Sequence, residues 1–216
     1  MNIEYIVIVI LVILFSMTLH EAMHAFVGYW LGDDTAKAQG RLTLNPIKHI
    51  DPFLTLLLPL ILAISGLPIF GGAKPVPFNP DRLRYDEWGA ALVAIAGPLT
   101  NLLIAFVFYG IAVVIGQPVD LFGGATSWIG SVLQIIVLVN LGFFVFNILP
   151  IPPLDGSRVV YALAPEFIRR IMETIERFGI IFVFAIILLA SSAIGAIIFT
   201  MIQFFLGIFR AIFGIF

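Results

Sequence analysis

Ile6 to Phe15 read "IVIVILVILF", an unbroken stretch of hydrocarbon, and comparable runs recur along the chain. Several of these runs exceed the roughly 18 apolar residues that mark a membrane-crossing helix. The composition agrees: 61% of the 216 residues are hydrophobic and 11% are charged, against about 25% charged in soluble domains. An all-α polytopic membrane protein with little β structure is expected, embedded in the lipid bilayer. A net charge of −2 gives no footing for nucleic acid or for a strongly acidic partner. With no cysteine there is neither a disulfide nor a thiolate metal site. The first run lacks a basic leader and a small-residue cleavage site, so it is read as part of the mature protein.

Four apolar segments stand out. They cover about Ile3–Leu31, Phe53–Phe70, Trp88–Gly116 and Ser127–Leu149, and the tail from Phe178 to Phe216 adds one or two more. The expected fold therefore has about five to six hydrophobic helical segments. They form one domain over residues 1–216, with a catalytic core of about 3–163 and C-terminal helices over about 166–216. The tail reads as two helices turning near "SSAIG", or as one span plus an interfacial helix. The second segment is short and interrupted by Pro59, Gly66 and Pro68. The fourth stops in "LPIPPLDG", where Pro150, Pro152 and Pro153 cannot continue a helix.

Charge placement decides the topology, because Lys and Arg collect on the cytoplasmic side. If every segment crosses, three basic residues (Lys37, Arg41, Lys48) face one side and eight the other. If Phe53–Phe70 re-enters instead, loops 32–52, 71–87 and 150–177 share a face with ten of the eleven. Loop 116–126 then carries none, and the N-terminus lies outside. Only this arrangement brings the ends of the first and fourth helices to one face. Arg82, Arg84, Arg169 and Arg170 read as topology determinants at the headgroups.

Against this background, "SMTLHEAMHAFVGYW" places His20, Glu21 and His24 in the first segment. Ionisable groups in a membrane span are costly unless they are partnered, and they mark function. His20 and His24 are spaced i, i+4, on one helical face. This is the H-E-x-x-H pattern, in which two imidazoles bind zinc and the glutamate serves as general base. Catalytic zinc takes three protein ligands and leaves one position open. Trp30 stands where a metzincin would have its third histidine, and Glu87, Glu166, Glu173 and Glu176 lie in polar loops. His49 reads as an interfacial loop residue. Asp155, just past the broken fourth helix, is the remaining candidate, and spacing leaves two readings for it, ligand or N-cap of the next helix.

These residues resemble the site-2 protease family of intramembrane metalloproteases. The likeness rests on His20-Glu21-x-x-His24, "GPLTN" and "NILPIPPLDG", and runs from about residue 16 to 160. "GRLTLNP", "HIDP" and "AKPVPFNP" look like its compact prokaryotic branch without a PDZ domain. The resemblance implies one Zn2+ ion on His20, His24 and Asp155, a transmembrane protein as substrate, and an active site opening toward the cytoplasm of a multi-pass cell-membrane protein. The expected activity is that of an intramembrane zinc endopeptidase with Glu21 as general base. A metal-ion transporter and an inactive scaffold are the alternatives. Asn101, in "GPLTN", reads either as a substrate or oxyanion contact or as an interhelical hydrogen bond. Asn147 belongs to the same motif as Asp155 and is expected near the site, Asn140 less so. Gly97-Pro98 reads as packing or a kink, and "GGAKPVPFNP" as an edge for an unwound substrate or a plain connector.

Overall fold

The computed structural model describes residues 3–57, 60–61, 64, 73–117, 119–121, 127–179, 182 and 191–214. Its helices are α1 (Ile3–Trp30), α2 (Thr35–Ala38), α3 (Asp86–Val114), α4 (Trp128–Asn147), α5 (Gly156–Leu163), α6 (Glu166–Glu176) and α7 (Ser191–Phe213). No β-strand occurs among the described residues. Among them, four helices are long and apolar enough to cross a membrane: α1, α3, α4 and Ser192–Phe213 of α7. The first, third and fourth apolar segments thus appear within two residues of where hydropathy puts them. Most of Phe53–Phe70 lies outside the described residues, as do most of 180–190. The number of crossings there is therefore not read from them.

α3 lies between α1 and α4 and packs against both. On α3, Ala105 and Ala112 are fully buried, and α4 answers with Val137, Leu141 and Val145. Helices in lipid gain little from hydrophobicity alone, so small residues that allow close approach set the contact. Gly110 shows this, since a Cβ there would meet the Phe213 ring of α7 at 2.7 Å. Leu206 and Phe209 of α7 complete the same cluster. A second cluster joins Val9, Ile13 and Met17 of α1 to Ile135 and Phe143 of α4.

Polar contacts give the directions of the helices. Trp128 Nε1 donates to Glu4 at 2.5 Å, so α1 and α4 begin side by side. At the other face, the Arg84 amide donates to the Leu31 carbonyl at 2.8 Å, joining the end of α1 to the approach of α3. The Lys74 amide donates to the His49 carbonyl at 2.9 Å. The chain on either side of the second segment is therefore bonded together. Arg210, near the end of α7, pairs with Asp120 at 3.5 Å, in the loop between α3 and α4.

The basic loops meet one another at the face where α1 ends. Arg82 pairs with Asp34 at 2.5 Å, and Arg158 lies over the Phe78 ring. Arg169 does more than sit at headgroups. It donates to the carbonyls of Ala164 and Ala162 at the end of α5 and pairs with Glu87 of α3 at 2.9 Å. It thereby staples the segment after Asp155 onto α3. Where α4 stops, a Cβ on Gly156 would fall on the Ile148 carbonyl, so only glycine lets the chain fold back this tightly.

Candidate active site

His20, Glu21 and His24 are buried on α1, at 2%, 7% and 8% exposure. One ligand atom from each lies within 4.8 Å of the others. Asp155 comes to the same place from the chain reversal after α4: its Oδ2 is 3.1 Å from His20 Nε2 and 3.5 Å from His24 Nε2. It does occupy the N-cap position of α5, but its side chain makes no capping bond. Of the two readings of Asp155, the capping one finds no hydrogen bond to support it.

The tautomers follow from the partners. His24 Nδ1 lies 2.7 Å from the Val93 carbonyl, which can only accept, so Nδ1 carries the proton. For His20 the argument runs through two amides. Asn140 Nδ2 donates to the Ile136 carbonyl at 2.8 Å, which fixes which end of that amide is nitrogen. Its Oδ1 therefore accepts from Asn101 Nδ2 at 2.9 Å. Asn101 Oδ1 in turn accepts from His20 Nδ1 at 2.6 Å. Both Nε2 atoms of the neutral imidazoles are left with lone pairs, aimed at a carboxylate oxygen.

Three electron-rich atoms crowd together in a buried site when a proton or a metal ion sits among them. Ligands about 2.0–2.1 Å from a tetrahedral zinc ion lie about 3.4 Å from one another, close to the 3.1 and 3.5 Å seen. The donor set of two imidazoles and one carboxylate suits Zn2+.

Gly97 opens the space. A Cβ built there would stand 2.6 Å from His20 Nε2 and closer still to His24 Nε2. Sequence reasoning placed Gly97-Pro98 among packing features, and Gly97 packs against the two Nε2 atoms. Pro98 deprives the Ala94 carbonyl of its helical donor and tends to open the preceding turn, where the Val93 carbonyl accepts from His24 Nδ1. Gly97→Ala is expected to bind zinc at least about 100-fold more weakly while α3 still forms. Zinc titration of the purified variant checks this, and near-normal affinity would show that the imidazoles can move aside.

Glu21 is held from another quarter. Its Oε2 accepts from the Val76 amide at 2.8 Å. Asn101 is fully buried, with both ends of its amide engaged by His20 and Asn140. Asn147 is half-buried and donates to Phe143 one turn back at 3.0 Å. His49 is buried away from the cluster, its Nε2 bonded to the Thr43 carbonyl at 2.8 Å. Sequence reasoning missed the Val76 amide and the Val93 carbonyl, since backbone groups carry no signature. Asn140, ranked below Asn147, was legible as a buried amide one heptad before it.

The sequence pattern of Peptidase family M50 matches residues 114–191, a stretch that includes Asp155 but not His20. Relatives extend the likeness over most of the chain. YwhC of Bacillus subtilis is 41% identical over 178 residues, covering 82% of this chain and 77% of its own. Rip2 of Mycolicibacterium smegmatis is 33% identical over 208 residues, covering 94% and 75%. MJ0611 of Methanocaldococcus jannaschii is 38% identical over 105 residues, 47% of this chain and 50% of its own. Each of these relatives carries a zinc-metalloprotease name. No solved structure matches the chain. With two relatives matched over most of both chains, the protein belongs to peptidase family M50, the site-2 proteases, and is a multi-pass membrane metallopeptidase.

Proposed function

We propose that His20, His24 and Asp155 hold one Zn2+ ion and that Glu21 is the general base of peptide hydrolysis within the bilayer. The observation that carries this reading is the convergence of two Nε2 lone pairs and Asp155 Oδ2, with both Nδ1 protons already committed. When bound, the ion supplies a Lewis acid that polarises the scissile carbonyl and acidifies water. Glu21 takes the proton of the attacking water and delivers it to the leaving amine. Asn101 and Asn140 keep His20 in the tautomer that presents Nε2, a positioning role. Asn147 lies at the end of α4, its amide donating back to the Phe143 carbonyl. The protein acts as one domain over residues 1–216, with the core over about 3–163 doing the chemistry.

The substrate is a transmembrane helix of another protein, cleaved at or near its membrane-buried part. The site lies toward the face where α1 ends, and positive-inside placement of ten basic residues makes that face cytoplasmic. The N-terminus is then outside, and the bonded flanks His49 and Lys74 support a second segment that re-enters. A metal conduit would need polar groups through the whole membrane depth. Between Tyr5 and Ser16, α1 offers only aliphatic side chains and Phe15.

Removing the metal tests the proposal. Chelation of the purified protein in vesicles is expected to abolish cleavage of a reconstituted apolar helical peptide, and stoichiometric Zn2+ to restore it. Cleavage that survives complete removal of zinc would overturn the reading.

A further inference from the structure

Residues 75–77 read Pro-Val-Pro, so Val76 supplies the single amide N–H of the three. That N–H goes to Glu21 Oε2 at 2.8 Å, in a buried bond. Among the described residues no sheet holds the segment. It is held by Arg41, which is only 6% exposed. Arg41 donates through one guanidinium nitrogen to the Lys74 carbonyl at 2.5 Å and to the Pro75 carbonyl at 3.4 Å. The Lys74 amide is anchored to His49 in turn, and the Val76 side chain packs with Ala25 and Ala36.

A buried guanidinium is costly, and here Nε has no hydrogen-bond partner among the described residues. The carbonyls it grips belong to the two residues immediately before the Val76 amide. We infer that Arg41 is a positioning residue for Glu21, holding the Lys74–Pro75 carbonyls so that the Val76 N–H fixes one oxygen of the carboxylate. The two prolines restrict the backbone torsions of the segment, so the amide has little freedom to turn away. With Oε2 committed, the carboxylate's orientation is set and its second oxygen follows. The inference rests on Glu21 being the general base, as proposed above.

The experiment compares the full-length zinc protein, in vesicles, with four variants, using a quenched fluorogenic transmembrane peptide selected because the wild type cleaves it. Val76→Pro removes the N–H, while Val76→Ala keeps it and reports the cost of the lost methyls. Arg41→Met keeps the stem without donors, and Arg41→Lys returns one donor. Val76→Pro is expected to show kcat at least about tenfold below Val76→Ala, with zinc content and KM near wild type. Arg41→Met should fall similarly, with Arg41→Lys recovering part of the loss. A purely structural role would instead lower zinc content, or raise KM as kcat falls.

Hydrogen exchange adds a readout independent of turnover: the peptide 73–79 should exchange faster in metal-free Arg41→Met than in the metal-free wild type. Equal kcat in Val76→Pro and Val76→Ala, or unchanged exchange in Arg41→Met, overturns the inference. If Glu21→Gln still cleaves, the general-base reading fails and takes this inference with it. If Glu21→Gln is inactive but Val76→Pro matches Val76→Ala, only the positioning role is lost.

Discussion

Glu21→Gln retains its zinc and loses cleavage by about a thousandfold, which is what removal of a general base costs when the rest of a site stays intact. The carboxamide has nearly the shape of the carboxylate, and its Oε1 can still accept from the Val76 amide that Glu21 Oε2 meets at 2.8 Å. What it cannot do is take a proton from water. Because Glu21 lies beside the three converging ligand atoms and is not one of them in the proposed set, metal content should not change. Metal analysis and single-turnover cleavage on the same preparation decide the matter. Loss of zinc in Glu21→Gln would mean that the glutamate is a ligand, and retained cleavage would require another base.

Asp155→Ala produces the opposite dissociation. It removes the carboxylate whose Oδ2 faces His20 Nε2 and His24 Nε2, at 3.1 and 3.5 Å. Two imidazoles from adjacent turns of one helix remain, and zinc affinity falls by at least about 100-fold. Cleavage disappears with the metal. The fold survives, because the side chain makes no capping bond to α5. At a zinc level a thousand times the wild-type Kd, linkage should stabilise the wild type by about 4 kcal/mol and the variant by about 1.4 kcal/mol or less, seen as a much smaller rise in its unfolding temperature. Unchanged zinc stoichiometry in Asp155→Ala would remove this residue from the ligand set.

Reading the chain by hydropathy recovers α1, α3 and α4 nearly to the residue. An isolated apolar run in lipid has only one way to satisfy its backbone, which is the helix. The same local logic finds the two histidines, since i, i+4 on a helix is a distance as well as a spacing. Asp155 is a weaker case. It lies 131 positions beyond His24, and spacing alone left a cap and a ligand equally open. The chain reversal held by Gly156 and stapled by Arg169 brings it to the imidazoles.

Sequence alone determined that this is a helical membrane protein, that α1 carries two histidines and a glutamate in the H-E-x-x-H spacing, and that the basic loops belong together. Each of those properties is local, or is a sum over residues. The tertiary structure alone decided that Gly97 makes room for the two Nε2 atoms, that an amide relay from Ile136 sets the His20 tautomer, and that the Val76 amide grips Glu21. These depend on backbone groups and on the absence of a side chain. Neither leaves a mark in residue identity until helices far apart in the chain are packed against each other.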